Sequence, residues 1–88
     1  MIVVFRTRGN DWDKFVHVVR HHKQDINQAG AEHVWVHRNR KHPDEWMMVQ
    51  GWPDKATFDK FAEGKGKELD QEAGVKWTDV STWEEVEV

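Results

Sequence analysis

The stretch EWMMVQGWPD, residues 45–54, sets the architecture of this chain. Residues 45–52 are rich in large apolar side chains, which is typical of a β-strand. Pro53 has no N–H to donate to a sheet ladder, so the strand must end there. Asp54 has a short side-chain oxygen that caps free backbone N–H groups, and it predicts the start of a helix. This stretch is therefore predicted to be a strand that leads directly into a helix.

A second strand precedes this one and is joined to it by a short turn. The side chains of residues 32–39 are predicted to alternate between the two faces of a strand, with Val34, Val36 and Arg38 on one face. The polar residues between the two strands include Pro43, which fixes its own φ angle and favours a turn. The two strands are therefore predicted to form an antiparallel hairpin.

The N-terminal part of the chain predicts a strand and then a helix. Residues 2–8 are β-branched and aromatic, a pattern that favours a strand. Asn10 or Asp11 can cap the helix that follows this strand. From residue 11 to residue 29, apolar side chains recur at helical spacing, and Gly30 supplies a left-handed stop. The apolar face of this helix is predicted to consist of Trp12, Phe15, Val16, Val19 and Ile26.

The helix that begins after Asp54 contains two glycines, Gly64 and Gly66. Each costs about 1 kcal/mol relative to Ala inside a helix. We therefore expect a break at these glycines and a short second helix over residues 67–72 that ends at Gly74. The apolar face is predicted to consist of Phe58, Phe61, Ala62 and Leu69.

Residues 75–88 predict a last extended segment, with Trp77 and Trp83 on the same side. The order β-α-β-β-α-β is that of a ferredoxin-like α+β domain over residues 1–88, with an antiparallel four-stranded sheet and both helices on one face. Two of the strands are apolar on both sides, and sheets with two apolar faces are buried on both. Because a second copy covers the other face most simply, a homodimer is predicted.

Composition disfavours several classes of function. The chain has 13 basic and 16 acidic residues and a net charge of −3. Because basic residues are not in excess, nucleic acid is not expected as a partner. The absence of cysteine excludes disulfides, thiolate metal sites and cysteine nucleophiles. Neither a membrane-spanning run nor a signal peptide is recognised, so no membrane association and a cytoplasmic location are expected.

The chain resembles the dimeric α+β barrel proteins of the antibiotic biosynthesis monooxygenase type. The resemblance rests on Gly9 before an acidic helix start, on Ala29-Gly30 before the second strand, and on WPDKATF at residues 52–58. It implies a barrel made from two sheets, one per subunit, with a small pocket between sheet and helices. It also implies an aromatic or polyketide-like ligand and, in some members, oxygenation without a cofactor, so no cofactor is expected.

One branch of this family degrades haem, and the chain departs from its pattern. That branch holds iron with a histidine on the second helix, where Phe61 stands here. It also has an asparagine on the first strand, where residues 6–8 offer only Arg, Thr and Arg. The resemblance therefore does not favour haem degradation for this chain.

Two residues are predicted candidates for catalysis. Trp52 lies at a strand end, where pocket walls tend to be, and its indole N–H can donate to a substrate carbonyl or to dioxygen. His37 is of the residue type that titrates near neutral pH and can act as a general base. The alternatives are that Trp52 packs on Phe58 in the core and that His37 flanks Trp35 on a partly exposed or dimer-facing surface.

Five residues are predicted to bind substrate: Arg6, Arg38, His22, Phe58 and Phe61. The two arginines lie on the first and second strands, and if these are neighbours they form a cationic patch for a carboxylate or phenolate. Pairing of these arginines with nearby acidic residues is the alternative. His22 lies at the border of the apolar helix face, where it can reach a pocket rim.

A metal site is not expected. His17 and His21 have the i, i+4 spacing of a chelating pair, but the sequence offers no third ligand beside them. Two hypotheses remain open. The chain binds an aromatic or polyketide-like small molecule, as a candidate cofactor-free monooxygenase, or it is a non-catalytic dimeric domain whose cavity is filled by its own Trp and Met side chains. An open cavity lined by Trp52 and a polar group distinguishes the two.

Overall fold

The strand predicted from the EWMMVQGWPD stretch is an interior strand of a four-stranded sheet in the computed structural model, which describes residues 1–88. The sheet order is β2-β3-β1-β4, and every neighbouring pair is antiparallel. The predicted ferredoxin-like α+β fold is confirmed. The elements are β1 (Ile2–Arg8), α1 (Trp12–Gln28), β2 (His33–Arg38), β3 (Glu45–Gly51), α2 (Lys55–Glu63), α3 (Lys65–Ala73) and β4 (Asp79–Trp83).

Both predicted helix starts are confirmed by their capping hydrogen bonds. The Asp11 side chain accepts from the backbone N–H of Lys14 at 3.1 Å, and the Asp54 side chain accepts from that of Thr57 at 2.8 Å. Each bond satisfies a donor that has no partner within the helix. The bond from Thr57 is also the main reason that the pKa of Asp54 lies below its usual value.

The break in the second helix occurs at Gly64 alone, whereas Gly66 lies within α3. The prediction that both glycines interrupt the helix and that its second piece begins at residue 67 is wrong. A Cβ atom on Gly66 would come within 2.9 Å of the Phe61 ring. Gly66 therefore lets α3 pack closely against the end of α2, and the helix tolerates its low propensity for that reason.

The C-terminal segment is a strand only over residues 79–83. Trp77 precedes the strand and packs on Phe5, at 5.3 Å between ring centroids, on the side of the sheet that carries the helices. Trp83 pairs with Ile2 on the opposite face and is 60% exposed. The prediction that Trp77 and Trp83 share a side is wrong, because the alternation of a strand does not extend to a residue outside the ladder.

The two faces of the sheet have different environments. The face toward the helices carries the buried side chains of β1 and β3, including Val3, Phe5, Trp46 and Met48. The outer face carries half-buried Val4, Met47 and Val49, together with Trp35, which is 57% exposed. Strands that are apolar on both sides are therefore confirmed.

Candidate functional site

A cavity of about 60 Å³ lies between the sheet and the three helices. At roughly 15 Å³ for each water molecule, it has space for about four waters, which is less than the roughly 150 Å³ of a cavity that binds benzene. Most of its lining is apolar. The lining consists of Phe5, Phe15, Val18, Val19, Ile26, Met48, Gln50, Phe58, Phe61, Ala62, Gly66, Leu69, Asp70, Ala73 and Trp77.

Aromatic rings from different elements form much of the cavity wall. Phe5 on β1 meets Phe58 on α2 edge to face, with 5.9 Å between ring centroids. Phe15 on α1 meets Trp77 in the same way at 5.6 Å. The i, i+3 spacing of Phe58 and Phe61 places both on one face of α2, so local helix periodicity positions them. The two phenylalanines predicted to bind substrate therefore both line the cavity.

Gln50 is one of two polar side chains in the cavity lining and is only 1% exposed. Its Oε1 accepts a hydrogen bond of 2.8 Å from the indole Nε1 of Trp52. Its Nε2 donates to the sulfur of Met48 at 3.6 Å, and a thioether sulfur is a weak acceptor. Because a primary amide has two N–H donors, Gln50 retains the capacity to donate to a small molecule in the cavity.

Trp52 is 1% exposed and is not part of the cavity lining. Its ring packs on Phe58 and Phe61, at 5.7 and 5.0 Å between centroids, and its N–H is used by Gln50. In this arrangement the indole N–H of Trp52 orients the Gln50 amide, although Trp52 itself does not line the cavity. A direct contact between Trp52 and a substrate stays a prediction that needs the side chains to rearrange.

Asp70 is the second polar side chain in the lining. Its Oδ1 accepts a hydrogen bond of 3.0 Å from the indole Nε1 of Trp77. Burial raises the pKa of Asp70 from 3.8 to about 6, because water no longer solvates its charged form well, while the hydrogen bond from Trp77 acts in the opposite direction. This carboxyl group is therefore a stronger base than an ordinary aspartate.

His22 lies outside the cavity lining and joins α1 to α3. Its Nδ1 is 3.1 Å from the Oδ2 of Asp25, and its Nε2 is 2.8 Å from the Oε2 of Glu72. The hydrogen bond with His22 is the main cause that lowers the pKa of Asp25. Both ring nitrogens are thus occupied by neighbouring carboxylates, so a role of His22 in binding substrate stays a prediction.

The remaining predicted site residues border a groove that shares no lining residue with the cavity. Arg6 and His37 are exposed on the outer face of the sheet, on either side of Met47. Arg38 also borders this groove, but its Nε donates to the carbonyl oxygen of Pro43, and its guanidinium lies 5.4 Å from the centroid of the Trp12 ring.

The assumption that the first and second strands are neighbours is wrong, because β3 lies between them. Arg6 and Arg38 therefore do not sit side by side on adjacent strands. Their participation in substrate binding stays a prediction, and it concerns the outer groove and not the cavity. His17 and His21 are exposed on α1 with their rings stacked at 6.1 Å, and no group of three or more potential ligands surrounds them.

Two cavity residues, Gln50 and Asp70, were not among the predicted site residues, although both left a signal in the sequence. Gln50 follows Trp46 and Met48 at every second position, so it is a polar residue on an apolar strand face. Gly66, Leu69, Asp70 and Ala73 have the i, i+3, i+4, i+7 spacing of one helix face. An acid in such a stripe is unusual, because burying its charge costs free energy of folding.

Comparisons with known proteins agree on the fold. No family model and no curated protein matches the sequence. A solved structure described as a candidate antibiotic biosynthesis monooxygenase from Bordetella bronchiseptica is similar with a TM-score of 0.79 and 16% identity, over 97% of this chain and 95% of that chain. A structure named as an antibiotic biosynthesis monooxygenase has a TM-score of 0.72 and 16% identity, over 99% of this chain and 100% of that one.

A third structure, described as a candidate enzyme of the same kind from Deinococcus radiodurans, has a TM-score of 0.67 and 17% identity, over 100% of this chain and 95% of that chain. The predicted resemblance to antibiotic biosynthesis monooxygenase structures is thus confirmed at the level of the fold. No helix of the chain combines the length and the apolar character that crossing a bilayer requires.

Proposed function

We propose that this protein binds a small aromatic molecule in the cavity between its sheet and its helices. The observation that carries the proposal is the cavity itself: an apolar, largely aromatic wall into which Gln50 and Asp70 place polar groups. Small-molecule sites have this composition, with a few polar groups that orient the ligand. The volume of about 60 Å³ is smaller than the roughly 150 Å³ of a cavity that binds benzene, so a single ring requires the cavity to expand, and a polyketide-like ligand requires more expansion.

The activity that we propose for this site is oxygenation without a cofactor, and its support is the fold shared with structures named as antibiotic biosynthesis monooxygenases. In such a reaction a phenol loses a proton and the resulting anion reduces dioxygen. One oxygen atom enters the ring to give a quinone, and the other leaves as water. The protein supplies a site that excludes water and hydrogen bonds that stabilise developing charge.

A non-catalytic domain with a filled cavity is the second candidate function. Trp52 favours it, because this side chain is fully buried and its N–H is hydrogen-bonded to Gln50. Met48 also favours it, because its side chain is part of the cavity wall. In this case the small cavity is a packing defect and binds nothing. The two candidates differ in whether a single-ring probe enters the cavity.

Toluene followed by ¹H–¹⁵N NMR is the probe that separates these candidates. We expect toluene to shift the amide signals of cavity residues in the wild type, and Ala73→Leu to abolish the shifts because Ala73 is a buried part of the cavity wall. Ala56→Leu adds the same atoms at an exposed position of α2 and is the matched control. Oxygen uptake and quinone formation from phenol then test the activity.

The absence of toluene shifts in both the wild type and Ala56→Leu would support the non-catalytic candidate. Shifts that persist in Ala73→Leu would place the probe elsewhere. Because overpacking costs about 1–3 kcal/mol, the amide spectrum of Ala73→Leu is first compared with that of the wild type to establish that the variant folds.

We also propose that two copies of the chain associate through the outer face of the sheet. The support is a row of opposed residues across that face, in which Trp35, Val49 and Val4 are neighbours on β2, β3 and β1. Soluble monomers rarely leave contiguous apolar surface of this kind uncovered. A second sheet laid on this row closes an α+β barrel.

A further inference from the structure

The cavity contains a carboxyl group for which the fold offers little compensation. Asp70 lies on the face of α3 whose other members, Gly66, Leu69 and Ala73, line the cavity without a polar side chain. An ionised carboxylate taken out of water costs free energy of folding unless a charge or several hydrogen bonds stabilise it. The hydrogen-bond partners of its two oxygens therefore determine whether this carboxyl group can also bind a ligand.

The protein satisfies only one of the two oxygens of Asp70. Oδ1 accepts from Trp77, and no side-chain donor or ion pair reaches Oδ2. Every side-chain oxygen that is buried away from solvent has a hydrogen-bond partner. Oδ2 therefore keeps some solvent-accessible surface, and the side chain that carries it lines the cavity.

The electrostatic surroundings of Asp70 are simple. The cavity-lining residues of β1, β3, α1 and α2 include no titratable or charged side chain. On α3 the neighbouring acids Glu68 and Glu72 are exposed, and Glu72 is bonded to His22. Burial and the hydrogen bond from Trp77 account for the shift of the Asp70 pKa, with no contribution from a neighbouring charge.

We infer that Asp70 determines which ligands enter the cavity: it accepts a hydrogen bond at Oδ2 from an uncharged ring that carries one hydroxyl group, and it repels rings that carry a carboxylate. The inference rests on the proposed function, since it requires that the cavity binds a small molecule. Gln50, on the sheet side of the same cavity, donates its free amide N–H to an acceptor on the ligand.

The same contact supplies a proton-transfer step for the proposed reaction. The hydroxyl O–H bond of the ligand breaks, its proton forms a new O–H bond with Oδ2 of Asp70, and the electron pair stays on the ligand oxygen. The site then holds a neutral carboxyl group and a phenolate, so its net charge is the same before and after. Trp77 acts as a positioning residue, because its indole N–H fixes Oδ1 and leaves Oδ2 for the ligand.

Three probes that differ in one substituent test this inference: toluene, phenol and benzoate. Each is titrated by ¹H–¹⁵N NMR at about pH 7.5 and about pH 5 into the wild type, Asp70→Asn and Glu68→Gln. Glu68→Gln removes an exposed acid from the same helix and is the matched control. Toluene reports whether the cavity is intact in each variant, since it does not require the carboxylate.

At about pH 7.5 we expect Asp70→Asn to keep the toluene affinity and to lose phenol affinity by about tenfold, the size of a hydrogen bond to a charged group. Benzoate should bind the wild type weakly at about pH 7.5 and more tightly at about pH 5, where Asp70 is protonated. In Asp70→Asn this gain should be smaller, because only the protonation of the probe itself then changes with pH. Glu68→Gln should behave as the wild type does.

Equal phenol affinities in the wild type and Asp70→Asn, or a benzoate affinity that responds to pH equally in both, would overturn the role of Asp70 while leaving the proposed function intact. Toluene that fails to bind the wild type would overturn both together. If Asp70→Asn does not fold, Trp77→Phe provides the second test: it should keep toluene binding, weaken phenol binding by a few fold and move the pH midpoint of the benzoate gain upward, because one hydrogen bond to the charged carboxylate is lost.

Discussion

The two faces of β3 show how one strand can serve two environments. Toward the helices, Trp46 and Met48 are buried, and Trp46 stacks on Phe15 with 5.2 Å between centroids. Away from the helices, Met47 and Val49 are only half-buried, although they belong to the same strand. The helices of the chain complete one face, and nothing in the same chain covers the other.

The polar groups differ between the faces in the same way. On the helix side, Thr7 donates to the carbonyl oxygen of Lys76 at 2.6 Å, and Gln50 and Trp52 are bonded to each other. On the outer side, Arg8 pairs with Glu45 at 3.5 Å, whereas Arg6 and Asp79 oppose each other in register on β1 and β4 and neither takes part in an ion pair. The polar groups on the helix side are therefore enclosed in the core, whereas most of those on the outer side are exposed to solvent.

The largest expected contrast between the faces comes from two tryptophans. Trp46→Ala should lower the free energy of unfolding by about 3–5 kcal/mol, because it removes a fully packed aromatic side chain. Trp35→Ala, on the outer face, should change it by no more than about 0.5 kcal/mol at high dilution, since its ring is largely exposed. Urea denaturation at several protein concentrations measures both.

The concentration dependence adds a control to this comparison. If the outer face associates, the cost of Trp35→Ala should grow with protein concentration, because association stabilises the folded state by mass action. The cost of Trp46→Ala should stay large at every concentration. Equal losses for the two variants at high dilution would contradict the difference between the faces.

A charge placed in the centre of the outer face tests the proposed homodimer. Val49 is flanked by Trp35 and Val4 across the sheet. Val49→Glu should weaken association by at least about tenfold, since an unpaired carboxylate would be buried between two sheets. Sedimentation should show a mass of twice 10.5 kDa for the wild type and 10.5 kDa for the variant at micromolar concentration.

Lys60→Glu, at an exposed position on α2, is the control for a change of charge alone and should leave the dimer unchanged. A wild type that sediments as a monomer at micromolar concentration would contradict the proposed dimer. A Val49→Glu variant that remains dimeric would show instead that the copies meet at another surface.

The smallest expected effect concerns the pH dependence of stability on the helix side. Folding raises the pKa of Asp70 from 3.8 to about 6, so the folded state holds this proton more tightly than the unfolded state. The resulting stabilisation is complete below about pH 4 and is lost as the pH rises through about 6. Asp70→Asn does not titrate, so its stability should lack this loss.

Thermal or urea denaturation of both proteins between about pH 4 and pH 7 measures the difference. We expect the wild type to lose about 1–2 kcal/mol relative to Asp70→Asn across this range, less than the full linkage value because the carboxyl group is partly screened by solvent. Parallel profiles for the two proteins would mean that Asp70 has an ordinary pKa. Glu68→Gln, whose side chain is exposed, should follow the wild type.

Local sequence patterns determined the elements of this protein and the faces that they present. Pro53 and Asp54 mark the change from β3 to α2, and the capping oxygen of Asp11 marks the start of α1, because each acts on backbone groups a few residues away. Alternation along β1 and β3 likewise predicts two apolar faces without any knowledge of the neighbours. Phe58 and Phe61 could be assigned to the cavity because helix periodicity places them on one face.

Strand order, by contrast, was decided only by the tertiary structure. β3 lies between β1 and β2, and this pairing of segments far apart in the chain separates Arg6 from Arg38. Which of two glycines breaks a helix depended on Phe61, whose ring occupies the space beside Gly66. Asp70 acquired its basic character from burial against Trp77 and the apolar wall, and burial is a property of the assembled core that no local pattern contains.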